Sequence, residues 1–151
     1  MPKKPIPPNL EVVKTPWLVV AEGELGVTEI RGRQHNPRVL EYGTAVTYHV
    51  KTDEVSWCAN FVCWCLEQCG IPSTRSARAR SFEHWGVEIA QPIYGCVVVF
   101  WRGSKSSGKG HVALWVGETK KYILVLGGNQ SNTVKISRYP KSQLLSYRMP
   151  A

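Results

Sequence analysis

The spacing of hydrophobic residues predicts helices in the first half of the chain. Apolar side chains recur at helical spacing from Pro16 to about Leu25 and, more continuously, from Ser56 to Gly70. A short helix is predicted from Pro37 to Tyr42, and a weaker helical pattern covers Ser76 to Trp85. Because residues three and four apart lie on one side of a helix, each segment has an apolar face to bury.

Residues typical of helix ends bound the two main helices. Thr15 is the predicted N-cap of the first helix, before a proline at the first helical position, and Gly26 is expected to end it. Ser56 is the predicted N-cap of the strongest helix, and Gly70 follows the last turn of that helix.

Beyond residue 95 the pattern changes to short runs of β-branched and aromatic residues. Four strands are predicted, at Cys96–Trp101, His111–Val116, Lys121–Leu126 and Thr133–Ile136. A flexible loop (103–110) and two turns, at 117–119 and at 127–130, separate them. Connections this short pair neighbouring strands antiparallel. The sequence therefore predicts an α+β domain, with N-terminal helices packed on a small antiparallel sheet.

The length of 151 residues fits one domain, which we assign to residues 16–151, behind a proline-rich N-terminal arm at residues 1–15. The two lysines of this arm have no apolar run behind them, so we expect no secretory signal. No window approaches the roughly 18 apolar residues of a membrane span. The formal net charge of +8 at pH 7 favours an anionic partner, but it does not choose among nucleic acid, membrane surface and acidic wall polymer.

Four of the five cysteines lie between residues 58 and 69. On a helix, Cys58, Cys65 and Cys69 share one stripe, whereas Cys63 points elsewhere. The spacing lacks the second ligand pair that a zinc site needs, so we expect no metal. Apart from Cys58, we interpret the cysteines as small buried apolar residues of a protein made in a reducing cytoplasm.

Cys58 differs from the others because it lies in the first turn of its helix. Unpaired backbone N–H groups and the positive end of the helix dipole stabilise a thiolate there, and the thiolate is the nucleophilic form. His111, at the start of a predicted strand, is the candidate base. Asn129 follows the adjacent antiparallel strand and is the candidate for orienting the imidazole, with Gln130 as the near alternative. The backbone N–H of Cys58 is one donor for the oxyanion.

Four segments in this order resemble the CHAP domain, a family of cysteine- and histidine-dependent amidohydrolases and peptidases within the NlpC-type, papain-like superfamily. They are Trp57–Val62, Pro92–Phe100, Gly110–Ala113 and Gly127–Gln130. Earlier segments resemble small phage-type lysis proteins (endolysins) and bacterial relatives. The resemblance implies cleavage of amide bonds in peptidoglycan without a cofactor, with Cys58 as nucleophile, His111 as base and Asn129 as the orienting residue.

The chain also departs from the family at two positions. Many relatives carry an acidic residue where this chain has Gly127, which bears on the third catalytic residue. Many also carry Asp at the position of Cys96, which concerns a turn. We name Trp57, His35 and Gln130 as candidates for binding the substrate.

The sequence-based hypothesis is a monomeric peptidoglycan hydrolase, either a phage lysis enzyme or a secreted antibacterial effector. It would be made in the cytoplasm without a signal peptide and reach the cell wall after release or delivery by other machinery. Nucleic acid is not expected as a partner. Two alternatives stay open: an amidohydrolase acting on another amide, and a non-catalytic basic module that binds wall or nucleic acid through a papain-like fold.

Overall fold

The structure is a computed structural model that describes residues 13–30, 36–47 and 56–151. Three α-helices are described: α1 at Pro16–Glu22, α2 at Pro37–Tyr42 and α3 at Cys58–Gln68. Short 3₁₀ turns lie at Gly43–Ala45, Ala79–His84, Lys105–Ser107 and Lys141–Gln143. Six strands follow: β1 at Val87–Ile89, β2 at Val97–Trp101, β3 at Gly110–Glu118, β4 at Tyr122–Gln130, β5 at Thr133–Pro140 and β6 at Leu144–Met149.

The six strands form one antiparallel sheet in the order β1-β6-β2-β3-β4-β5. This arrangement confirms the predicted α+β class. The sequence pattern missed β1, which has only three residues, and β6, which joins the sheet between β1 and β2. The predicted turn at 127–130 is wrong, because these residues form the end of β4.

Helix α3 is the central helix of the domain. Every residue from Cys58 to Leu66 is buried, because the sheet covers one side of α3 and α1 and α2 contact it elsewhere. Cys63 is therefore buried like its neighbours, with Sγ 3.8 Å from the Thr74 hydroxyl. The all-round burial explains why the apolar pattern of α3 was the strongest helical signal in the sequence.

The helix ends differ from the predicted ones. Helix α3 begins at Cys58 with Trp57 at the cap position, so Ser56 is not the N-cap. Helix α1 ends at Glu22, before Gly26 is reached. The segment predicted as a helix at 76–85 forms only a 3₁₀ turn at Ala79–His84.

The two faces of the sheet have different surroundings. One face packs on α3 and α1 through Val97, Val99, Val112, Leu114, Leu126 and Val134. The other carries a second apolar cluster with Val98, Phe100, Ala113, Ile123 and Val125. None of the helices in the described ranges is long and apolar enough to span a membrane.

Candidate active site

The predicted nucleophile lies at the start of α3. Cys58 is the first helical residue, so its backbone N–H has no acceptor within the helix, and the positive end of the helix dipole lies beside it. The side chain is buried, and its Sγ accepts a hydrogen bond from Ser56 Oγ at 3.4 Å. The backbone N–H of Val112 donates a second one.

Opposing effects set the pKa of Cys58. Burial is the largest single effect and raises this pKa, because a thiolate loses hydration, whereas the charge of His111 and a hydrogen bond with it lower the pKa. Hydrogen bonds from Ser56 and Val112 add to the lowering, and the result is a pKa of about 6 in place of 9.0. Burial raises the pKa of Cys96 to about 11. The neighbours of Cys58, and not its burial, make this thiol acidic.

His111 is the second residue of β3 and is fully buried. Its ring stacks on the ring of Tyr139, with centroids 4.6 Å apart, and Phe100 stacks with both rings. The Nη2 of Arg102 lies 3.4 Å from His111 Nδ1 and donates to the Tyr139 hydroxyl at 3.0 Å. These contacts fix the plane of the imidazole.

Gln130 is the residue that contacts the far side of the imidazole. Its Oε1 lies 3.1 Å from His111 Nε2, and its Nε2 donates to the backbone carbonyl of Lys135. Because a carbonyl can only accept, the amide nitrogen must face Lys135 and the amide oxygen must face the histidine. The imidazole then donates from Nε2, which leaves Nδ1 as the nitrogen that can take a proton from the thiol of Cys58.

Asn129, the first choice from sequence for this position, has a different partner. Its Nδ2 donates to Ser56 Oγ at 3.1 Å, and Ser56 in turn donates to the sulfur of Cys58. The physical reason is local geometry: neighbouring residues of a strand point to opposite faces, and a register shift separates Gly127 from Gln130. Asn129 itself has φ +57°. It therefore supports the cysteine side of the site, while Gln130 contacts the histidine.

The glycines before Asn129 make room for this arrangement. A Cβ on Gly127 would lie 2.8 Å from the Cβ of Ala113 and 3.3 Å from Gln130 Oε1. A Cβ on Gly128 would lie 2.7 Å from the Cβ of Phe61, on the α3 side. The space beside residue 127 is thus occupied by the amide of Gln130.

Of the three substrate-binding candidates from sequence, Trp57 and Gln130 are described by the structure, and neither lines an open surface. Trp57 is 3% exposed, stacks on Tyr42 and donates from Nε1 to Glu29 Oε2 at 3.2 Å, so it serves the core. His35 lies outside the described residues. Gln130 is 3% exposed and contacts His111, so it lies inside the site and not on an open surface.

Three residues of the site carried no recognisable signal in the sequence. The sequence predicts Ser56 only as a helix cap, whereas Arg102 follows β2 and Tyr139 lies near the end of β5. The last two meet His111 only because β2, β3, β4 and β5 lie side by side in the sheet. Within residues 13–30, 36–47 and 56–151, no group of three His, Cys, Asp or Glu side chains could hold a metal ion.

An α+β fold here brings a thiol at a helix start beside a histidine on the adjacent sheet, and these are the residue types that covalent cysteine catalysis needs. The family model of the CHAP domain matches residues 50–129, more than half of the chain, and the chain belongs to this family. CHAP domains are typically amidases or peptidases, and membership indicates peptidoglycan hydrolase or amidase activity in general. A comparison with curated proteins gives no significant match.

Proposed function

We propose that this protein hydrolyses an amide bond in the peptide part of peptidoglycan by covalent cysteine catalysis. Cys58 is the nucleophile, His111 the general base and acid, and Gln130 the residue that orients the imidazole. The observation that carries the proposal is that His111 links the other two side chains: Gln130 contacts its Nε2, and its charge and hydrogen bond act against burial to help lower the pKa of Cys58 to about 6. Asn129 and Ser56 take a supporting role on the sulfur.

The proposed reaction has two steps. The thiolate of Cys58 attacks the carbonyl carbon, and a carbon–sulfur bond forms while the carbon–nitrogen bond breaks. The amine leaves with the proton that His111 had taken from the thiol. Water, deprotonated by His111, then attacks the thioester and releases a carboxylate and the free thiol. The backbone N–H of Cys58, which has no acceptor in its helix, is suited to bind the oxyanion of both steps.

The test compares the wild-type protein with a Cys58→Ala variant on isolated peptidoglycan, with newly released amino groups mapped by mass spectrometry. We expect release by the wild type and loss of release in the variant. A Cys63→Ala variant is the matched control, since Cys63 is a buried cysteine of the same helix with no contact to His111 in the described structure. Equal release by wild type and Cys58→Ala would overturn the nucleophile assignment. Sedimentation with the wall but no release would favour a non-catalytic basic binding module.

We propose the cell wall as the place of action, in one of two settings. A phage lysis enzyme and a delivered antibacterial effector would both use this chemistry. Production of the protein inside bacteria, with and without a pore-forming partner, tests the setting, because a lysis enzyme requires only release from the cytoplasm to act.

A further inference from the structure

Arg102 lies beside the proposed base and carries a charge that has no carboxylate partner among the described residues. None of the six ion pairs formed by the described residues includes it. Its two side-chain contacts, with His111 Nδ1 and the Tyr139 hydroxyl, both use Nη2. Within the described ranges, the Nη1 and Nε groups of this exposed guanidinium thus have no acceptor, and a guanidinium offers five donors in a planar fork.

The position of Arg102 is fixed by its backbone. It follows directly after β2, its N–H donates to the carbonyl of Lys109 at 3.0 Å, and its carbonyl accepts from Ser107 Oγ at 2.6 Å. The hydroxyl of Tyr139, whose ring is stacked on the imidazole, accepts a hydrogen bond from the guanidinium. The side chain therefore has a defined place at the edge of the catalytic imidazole.

The reaction brings the leaving group to the same edge. His111 Nδ1 is the nitrogen that takes the thiol proton and returns it to the leaving amine, so that amine must come within about 3 Å of Nδ1. Arg102 Nη2 lies 3.4 Å from Nδ1. A carboxylate on the carbon next to the leaving nitrogen is only two bonds away, of about 1.5 Å each. Such a carboxylate falls within hydrogen-bond reach of the free guanidinium donors.

We propose that Arg102 is a specificity-determining residue that binds a carboxylate on the leaving-group side of the scissile amide. The preferred substrate is then an amide whose departing amine belongs to an amino acid with a free carboxylate on the carbon next to its nitrogen. This inference rests on the proposed function and goes beyond it, since it names the chemical class of the leaving group. A charge-assisted, forked contact of this kind favours a carboxylate over its neutral amide.

The test uses soluble muropeptides in two forms, one with free carboxylates and one with carboxylates converted to carboxamides. The kcat/KM of wild type, Arg102→Gln, Arg102→Lys and Arg138→Gln is measured on both. We expect the wild type to favour the free acid by about tenfold or more, as one charged hydrogen bond allows, and Arg102→Gln to lose the preference. Arg102→Lys should keep part of it. Arg138→Gln is the control and should behave as wild type. Arg138 is an exposed arginine that lies over the Tyr122 ring and precedes Tyr139 in the chain.

The outcomes separate this inference from the proposed function. If the wild type cleaves both forms and Arg102→Gln keeps the same ratio between them, Arg102 does not read the carboxylate and the inference is wrong. If Arg102→Gln lowers both rates equally, Arg102 acts only through Tyr139 and His111, which also contradicts it. If wild type and Cys58→Ala cleave neither form, the proposed function fails, and the inference fails with it.

Discussion

The acidity of Cys58 gives the sharpest test of the site, because it is a property of the free protein. A thiol with a pKa of 9.0 is about 1% ionised at pH 7, whereas a thiol with a pKa of about 6 is about 90% ionised. The contacts around Cys58 thus raise its thiolate fraction by about 90-fold near neutral pH. The sign follows from the direction of the shift: the thiolate is present above about pH 6 and is lost as the pH falls through that value.

The perturbation is His111→Phe, which keeps an aromatic ring stacked on Tyr139 but removes the charge and the hydrogen bond. These two are the largest effects that lower the pKa of Cys58, and burial acts in the opposite direction. We therefore expect the pKa to return to 9.0 or above, with a loss of nearly all the thiolate at neutral pH.

The assay is a pH titration of the ultraviolet absorbance of the thiolate, since this measurement needs no reagent to reach a side chain that is 1% exposed. Cys58→Ala is subtracted to isolate one thiol from the five. His84→Ala is the matched control, since it removes a histidine from a 3₁₀ turn and should leave the midpoint unchanged. A wild-type midpoint in the ordinary thiol range, or the same midpoint in His111→Phe, would refute the reasoning.

Three further predictions concern Gln130, Gly128 and Tyr42. Gln130→Leu should lower kcat/KM by about 100-fold, because the imidazole loses its acceptor; unchanged kinetics in the folded variant would contradict the assignment. Gly128→Ala should cost about 1–3 kcal/mol in chemical unfolding, since its Cβ would lie 2.7 Å from the Cβ of Phe61, and an unchanged midpoint would disprove the clash. Tyr42→Phe should cost about 1 kcal/mol by thermal unfolding, because the buried hydroxyl donates to Glu24 at 2.9 Å; equal stability would show that this bond contributes nothing net.

The sequence located Cys58 and His111 correctly in the fold because each lies at an element boundary with a strong local signal. The apolar pattern of α3 begins at Cys58, and the strand pattern of β3 begins beside His111. Both signals depend on residues within one element. The antiparallel pairing of β2 with β3 also followed from a short connection, which left few other arrangements.

Strands β1 and β6 could not be predicted in the same way, because their pairing joins distant parts of the chain. β6 lies between β1 and β2, with Val97 opposite Arg148 and Val87 opposite Met149. Its short sequence has intermediate burial at nearly every position, so it lacks the alternation by which a half-buried strand is recognised. The place of Arg102 in the site could not be predicted for a related reason: its partners His111 and Tyr139 lie on strands β3 and β5.

The choice between Asn129 and Gln130 shows most clearly what the sequence alone could not predict about the site. Both are amides at the end of β4, both reach the site, and the chemistry of their side chains is the same. They differ in the face of the sheet to which each side chain points, and a shift of the strand by one residue would exchange those faces. We call this alternation the phase of the strand. That phase is set by the irregular pairing between Gly127 and Gln130 and by the positive φ of Asn129, neither of which has a signature in the sequence. With the observed phase, the amide of Gln130 contacts His111 and the amide of Asn129 donates to Ser56, which in turn contacts the cysteine. The two adjacent residues therefore hold opposite sides of the site in place.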